Sequence, residues 1–532
     1  MSSYHVTTFD SYNAHGQPLI ITDPSGVVTT LAYDSRQRLT SRTAAGEQTI
    51  FQYWPTGLLR KVTLPDASYV EYGYDAAHRL TALADSQGNR IEYTLDALDN
   101  RIEEKAFDPS NALSRKRSQV FNQLSRLAQQ FTASGSLSSA TSFEYDNNGS
   151  LITQAAPLGR TKSSNYDALN RLDEATDGGA GTTQYGYNAL DQLISVTDPR
   201  GLATAYTYNG LDDLKQQVSP DTGTTTNTYD SNGNLATSTD ARSATTTYTY
   251  DALNRVTTAA FKIGATTDQA ITYNYDAGTN GKGQLTSASD SSHSMAWTYD
   301  ALRRVTGKSQ VVGGSTKAVD YGYTNGQLTT MTTPSGQTIT YGYTNNQITS
   351  VNINGVTLLS GVLYEPFGPV RQWRWGNATY MNRTYDTDGK VTQIDSAGLR
   401  TFGYDDAFRS TSNADLTNSA GALTWTYSYD ANDRLTHAVR TNTDYGYTYD
   451  ANGNRTSQTG SYPQTYATSA TSNRLTSISG TLNRGYSYDA AGNVLSYSPQ
   501  RVHLQQCRSS GQRCEWHDDH RVHLQCARRT RS

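Results

Sequence analysis

Four residues near the C-terminal end have the types and spacing of a zinc site. Cys507, Cys514, His517 and His520 run as Cys-x6-Cys-x2-His-x2-His, and thiolate and imidazole are the usual zinc ligands. The competing reading is that this stretch is not a selected protein sequence. Val502-His503-Leu504-Gln505 recurs as Val522-His523-Leu524-Gln525. Codons for Val-His-Leu-Gln, shifted by one base, can spell Phe-Thr-Tyr-Asn, which resembles the wording of the preceding chain. A frame change near Ser498 is therefore the favoured reading and metal the weaker one. The gene's nucleotide sequence decides between them.

The other chemistry-bearing residues are spread along the chain. Aspartates follow tyrosines again and again, so they could be read as acids or calcium ligands. Asp146-Asn147-Asn148-Gly149 resembles part of a calcium loop but lacks the spaced acids and the closing Glu. An Asp that recurs this often is better explained as turn chemistry, its carboxylate bonding the backbone amide two residues on. Before residue 498 the histidines are His5, His15, His78, His293 and His437, none with a ligand partner at suitable spacing. No P-loop, Gly-x-Gly-x-x-Gly fingerprint, His-Glu-x-x-His or Gly-x-Ser-x-Gly elbow occurs. Tyr numbers 38 against 10 Phe and 6 Trp. Rows of Tyr could stack on sugar rings, and Trp373 and Trp375, alternating with Arg371 and Arg374, could form a local docking patch. The plainer reading is that cross-strand Tyr pairs, and Arg stacked on Trp, stabilise a sheet.

The elements that position these residues are repeats. Tyr145, Tyr166, Tyr187, Tyr208, Tyr229 and Tyr250 fall at equal 21-residue intervals, a regularity that marks a repeat array. In Tyr248-Thr249-Tyr250-Asp251-Ala252-Leu253-Asn254-Arg255-Val256, Tyr-Thr-Tyr alternates as a strand with both Tyr on one face. Asp opens the turn, as at Asp167, Asp230 and Asp251. Asn or Gly follows four residues after the Tyr, as at Asn170, Gly233 and Asn254, the types that best tolerate a left-handed backbone. Leu or Val then starts the return strand, as at Leu172 and Val256. A second turn closes the period: Asp23-Pro24-Ser25-Gly26, Asp198-Pro199-Arg200-Gly201 and the related Thr333-Pro334-Ser335-Gly336. The spacing predicts an all-β chain, an antiparallel β-hairpin array forming one long curled sheet. Leucine-rich repeats and a parallel β-helix have comparable periods. The first lacks support in so Leu-poor a unit, and the Asp-x-x-Asn/Gly turn argues against the second.

The array is expected over residues 1–497, followed by a basic Cys/His-containing tail over 498–532 that is disordered or out of frame. The chain has 532 residues, net charge −4 and three Cys, all after residue 506. That excludes a disulfide framework in the repeats and gives no electrostatic case for nucleic acid. No apolar run approaches the roughly 20 residues of a membrane span, and no signal peptide is visible.

The units Tyr166-Asp167-Ala168-Leu169-Asn170-Arg171-Leu172, Tyr250-Asp251-Ala252-Leu253-Asn254-Arg255-Val256 and Tyr488-Asp489-Ala490-Ala491-Gly492-Asn493-Val494 closely resemble the YD repeats of RHS (rearrangement hot spot) proteins. The resemblance implies part of an RHS-type β-shell. Its partners would be a C-terminal toxin domain and a secretion apparatus, and its setting contact-dependent competition between bacteria, often by type VI secretion. It also implies a secreted or cell-surface location without a signal peptide. The sequence departs from the family pattern in three ways: it starts inside a repeat, it lacks the closing segment with its self-cleavage aspartate, and it lacks a toxin domain. The expected function is a non-enzymatic, cofactor-free shell segment. The alternative is a cell-surface carbohydrate-binding repeat protein, with glycans as its partner. An enzyme in the tail ranks third. Neither end carries an obvious cap, so exposed strand edges predict self-association.

Overall fold

A computed structural model describes residues 5–264, 266–417, 423–497 and 500–501. Cys507, Cys514, His517 and His520 lie outside the described residues, and with them nearly all of the segment 498–532.

Among the described residues there are 47 β-strands and a single 3-10 turn at Leu137–Ser139. The fold is all-β. Neighbouring strands are antiparallel and meet in chain order. In one stretch Gly223–Tyr229 pairs with Leu235–Thr239, that strand pairs with Ala244–Tyr250, and the last pairs with Val256–Ile263. The period-two alternation of Tyr with Thr, Ser or Ala is what selects strands here. No helix among the described residues is long and apolar enough to cross a membrane.

Each YD turn is accompanied by a bulge. Thr228 faces Thr237, but Tyr229 faces Leu235, so Ala236 is left without an opposite number. The same shift occurs at Tyr166, Tyr187, Tyr208 and Tyr250. It follows from the left-handed residue at the end of the turn, which adds one residue to the return strand.

The two faces of the sheet differ. In Ala203–Tyr208, Ala203, Ala205 and Thr207 are exposed while Thr204, Tyr206 and Tyr208 are half-buried. The wall is thin. Among the described residues its buried apolar side chains are mostly small: Ala44, Ala106, Ala259 and Ala438, with Ile91 and Val362. Stability must therefore come from strand ladders and from repeated polar contacts between hairpins, rather than from a thick apolar core.

The described residues fall into two compact units. One is drawn from Met1–Thr141, Thr272–Gly403 and Ala414–Ser419, the other from Ser142–Ile271, Tyr404–Asn413 and Ala420–Ser532. Within each unit an early strip of hairpins lies turn to turn along a late strip. In the first unit Asp23 meets Arg303 and Asp66 meets Gln327. In the second Asp177 meets Asn432 and Asp221 meets Asn473.

Candidate functional site: the tyrosine-aspartate turn and the joint between strips

The YD turn is a closed hydrogen-bond unit. At Tyr166-Asp167, the Asp167 amide donates to the Arg171 carbonyl at 2.9 Å and the Asn170 amide to the Asp167 carbonyl at 2.9 Å. Asp167 Oδ1 accepts the amides of Leu169 and Arg171, both at 2.9 Å, and Oδ2 accepts Arg171 Nε at 2.8 Å. Asp230 and Asp251 repeat the arrangement, with Asn234 and Arg255 as side-chain partners. Asn170, Gly233 and Asn254 take φ of 63°, 83° and 59°. His78, Asp191 and Phe408 are also left-handed at this position, so the turn imposes the conformation even on residues that resist it. Asp146, in the calcium-like stretch, closes a turn of the same kind.

These carboxylates are held in the ionised form. The Arg171 amide and then its guanidinium lower the Asp167 carboxyl below its ordinary value. The Asn234 side chain and amide do the same for Asp230. At Asp251 partial burial pulls the other way, and the Arg255 amide and guanidinium outweigh it. A carboxylate stabilised this way does not act as a general acid near neutral pH.

The tyrosines link one hairpin to the one before. The hydroxyls of Tyr166, Tyr208, Tyr229 and Tyr250 donate to the carbonyls of Leu151, Leu193, Leu214 and Leu235, at 3.1, 2.8, 2.9 and 2.8 Å. Each acceptor starts the return strand of the preceding unit. Burial raises the Tyr250, Tyr299 and Tyr488 phenols above their ordinary value. Tyr145 ends the strand Thr141–Tyr145 opposite Leu151, and Tyr187 ends Thr182–Tyr187 opposite Leu193. The expected cross-strand Tyr pairs are not the general rule. Tyr248 faces Ala259 and Tyr250 faces Val256, because the bulge places an aliphatic residue opposite the turn tyrosine.

The residue after the left-handed position carries a role that the sequence reading missed. Arg171 pairs with Asp167 and reaches forward into the next turn, donating to the Asn188 carbonyl at 3.1 Å and to Asp191 at 2.7 Å. Its guanidinium lies 4.8 Å from the Tyr187 ring centroid. Arg409 with Tyr429 and Arg434 with Tyr449 repeat this. The signal was the recurrence of Arg or Asn at that position, as at Arg79, Arg171, Asn234 and Arg255.

The joint between strips has its own chemistry. The second turns of the early strip meet the YD turns of the late strip through carboxylates, amides and guanidinium groups supplied from both sides. Asp177 accepts Asn432 Nδ2 at 3.0 Å, and the Gly179 amide donates back to Asn432 Oδ1 at 2.9 Å. Asp198 accepts from Asn452 and Asn473, and Asp221 from Asn473. Arg200 donates to the Ser469 and Ser472 carbonyls at 2.7 and 2.9 Å. Burial pulls the Asp198 carboxyl up, but the Asn473 and Asn452 side chains and the Leu202 amide outweigh it and leave it low. Contact here is close enough to require glycine: a Cβ at Gly178 would collide with the Ala431 carbonyl oxygen. In the first unit Glu47 pairs with Arg304 at 2.8 Å and Glu365 accepts Ser114 Oγ at 2.7 Å.

Other candidates are dispersed. Among the described residues no group of three or more His, Cys, Asp or Glu could hold a metal. His5 pairs with Asp276 and His293 with Asp290. Trp373 and Trp375 meet edge to face at 5.6 Å, and Arg383 lies over Trp373 at 5.1 Å. A shallow open depression of about 570 Å³ beside them is lined by Thr357, Leu358, Trp375, Asn377 and Ser396.

Comparison with known proteins gives a consistent picture. The family model described as RHS Repeat matches residues 12–49, 53–90, 166–201, 187–224 and 229–260. The chain is 29% identical over 162 residues to "Double-stranded DNA deaminase toxin A" of Burkholderia cenocepacia (strain H111), covering 30% of this chain and 11% of that protein. Two solved structures share the fold. One is TcdB2-TccC3 without its hypervariable C-terminal region, with TM-score 0.73 and 12% identity, covering 94% of this chain and 36% of that one. The other is a Tc holotoxin pore of Photorhabdus luminescens, with TM-score 0.66 and 14% identity, covering 92% of this chain and 30% of that one. The chain thus spans about a third of the solved chains and about a tenth of the curated relative.

Proposed function

We propose that the chain, five segments of which match the RHS Repeat model, is a non-catalytic length of wall in a toxin-delivery protein, enclosing or carrying a toxin domain C-terminal to the repeats. The wall is residues 1–497. The segment 498–532 is a separate stretch of sequence outside the repeats.

One observation carries this reading. The residues with chemical potential are engaged in building the wall. In the Asp167 turn the carboxylate, the Arg171 guanidinium and the backbone amides satisfy one another. Tyrosine hydroxyls from Tyr53 to Tyr488 donate to carbonyls of the hairpin before. The toxin named in the curated relative and the Tc toxin assemblies named in the structural relatives support the same role. Delivery then takes the protein out of the producing cell through a specialised secretion system, in competition between cells.

Protection of a passenger tests this. A protease-sensitive reporter is fused after residue 497 and exposed to protease. Cleavage should be slower than for the same reporter on an unrelated β-repeat carrier. Equal rates would remove the enclosing role. Saturable binding on a glycan array, abolished by Tyr substitution, would instead move the protein to the carbohydrate-binding class.

A further inference from the structure

One YD turn is complete except for its ring. In Leu95-Asp96-Ala97-Leu98-Asp99-Asn100-Arg101 the place of the tyrosine is held by Leu95. The turn closes as the others do. Asp96 Oδ1 accepts the amides of Leu98 and Asn100 at 2.8 and 2.9 Å, and Oδ2 accepts the Asn100 side chain at 2.9 Å. Asp99 takes the left-handed position, with φ of 67°. The bulge is kept too: Leu95 faces Arg101 and Thr94 faces Glu103.

The groups that grip a ring elsewhere are in place beside Leu95. The Arg38 guanidinium lies 4.5 Å from the Tyr53 ring centroid, and the Leu39 carbonyl accepts the hydroxyl of that tyrosine at 2.8 Å. Arg304 and Val305 hold Tyr323 in the same way, and Arg434 and Leu435 hold Tyr449. The equivalent pair before Leu95 is Arg79-Leu80. Arg79 donates through Nε to Asp75 at 2.7 Å, and through Nη1 to the Asp96 carbonyl at 3.0 Å and to Asp99 at 2.9 Å. Arg171 makes the same set of bonds, to Asp167, the Asn188 carbonyl and Asp191, and faces the Tyr187 ring. Arg79 is therefore fixed where a guanidinium faces a ring, but a leucine supplies neither a π face nor a hydroxyl. Beside it is an open depression of about 550 Å³ lined by Arg79, Leu80, Leu95, Asp99, Arg101 and Gln119. Thr468 also stands in the place of a turn tyrosine, but the residues before it that match Arg79-Leu80 are Asn454-Arg455, so the guanidinium is missing from the first position.

We propose that the depression beside Leu95 binds a phenolic ring. Arg79 faces the ring, Leu80 and Leu95 supply apolar contact, and the Leu80 carbonyl accepts the phenol hydroxyl. The ligand class is a phenol, free or carried as the tyrosine side chain of a peptide. The inference rests on the equivalence of this turn with its neighbours and is independent of the toxin-delivery reading.

Saturation-transfer NMR on the full chain, titrated with phenol, tests it. Binding should saturate with a dissociation constant on the order of 1 mM, as suits a small ring in an open site. Anisole, which has the ring but no O–H, should bind about fivefold more weakly, the value of one hydrogen bond. Leu95→Tyr places the chain's own phenol in the site and should abolish the saturable signal. Leu95→Phe should do the same, and circular dichroism shows which of the two keeps the wild-type fold. N-acetyl-tyrosinamide separates the two sources: displacement of phenol means that a chain-borne ring is accepted, and no displacement means that free phenols alone are. No saturable binding to wild type, anisole binding as tightly as phenol, or a folded Leu95→Tyr or Leu95→Phe variant that binds phenol as wild type does would overturn the proposal.

Discussion

The early and late strips are made of the same hairpin, yet their second turns differ. In the early strip most of these turns carry an acid, Asp23, Glu47, Asp66, Asp177, Asp198, Asp221 and Asp240 among them, while Pro157-Leu158-Gly159-Arg160 does not. In the late strip several are built from other residues: Gly313-Gly314, Thr333-Pro334-Ser335-Gly336, Asn354-Gly355, Asn377-Ala378 and Asn442. The acid in the early strip has two jobs. Asp177 and Asp198 close their own turns through Oδ1, bonding the amides two and four residues on. Through Oδ2 they hold the late strip. In the late second turns Gly and Asn meet the demand of turn closure beside acids such as Asp290 and Asp415. The difference separates local folding chemistry from joining chemistry.

Acid should erase that difference. Asp167, Asp230 and Asp198 ionise below the ordinary carboxylate value of 3.8. Their contribution is therefore complete above that value and is lost as pH falls through the lower folded values. Turns and joint should fail together in an acid titration followed by circular dichroism. The tyrosines give the opposite limb. Tyr250, Tyr299 and Tyr488 ionise above the ordinary 10.0, so their contribution is whole below it and is lost as pH rises through the higher folded values.

A sharper break is Gly178→Ala. Its Cβ meets the Ala431 carbonyl, and overpacking against backbone costs about 1–3 kcal/mol. Hydrogen exchange should accelerate at both 177–181 and 430–434. Gly210→Ala, in an early YD turn where a Cβ meets nothing within 4 Å, should leave both unchanged. Asp198→Ala comes next, because it removes the acceptor of the Arg200 and Leu202 backbone amides and one acceptor each of the Asn452 and Asn473 side chains, a loss of about 1–3 kcal/mol. Thermal unfolding should report it. Tyr250→Phe deletes one hydroxyl bond to Leu235 and should cost about 1 kcal/mol. Smallest is Thr333→Ala, in a second turn of the late strip, expected within about 0.5 kcal/mol. If Asp198→Ala proved as mild as Thr333→Ala, the division between turns that join strips and turns that only close hairpins would fall.

Much of the hairpin was legible before any coordinates. Tyr166, Asp167 and Asn170 reveal strand, turn and left-handed position by residue type alone. Arg171 was not legible in that way. Its partners, Asp167, Asn188, Asp191 and the Tyr187 ring, lie in two different units, and an Arg after Asn reads equally well as a solvated charge. The cross-strand Tyr pairs failed as a general rule because the bulge changes what lies opposite, and a bulge is a property of two strands together.

The sequence by itself determined the repeat, because period-two alternation and Asp-Asn turns act over a few residues and need no distant partner. Only the tertiary structure decided which turns meet. Asp177 and Asn432 are 255 residues apart, and their meeting depends on twist accumulated over many hairpins, a small rotation per unit that no single turn encodes. The carboxylates of the early second turns were visible in the sequence as turn formers. Their service as the joint between strips became visible only once the late strip was beside them.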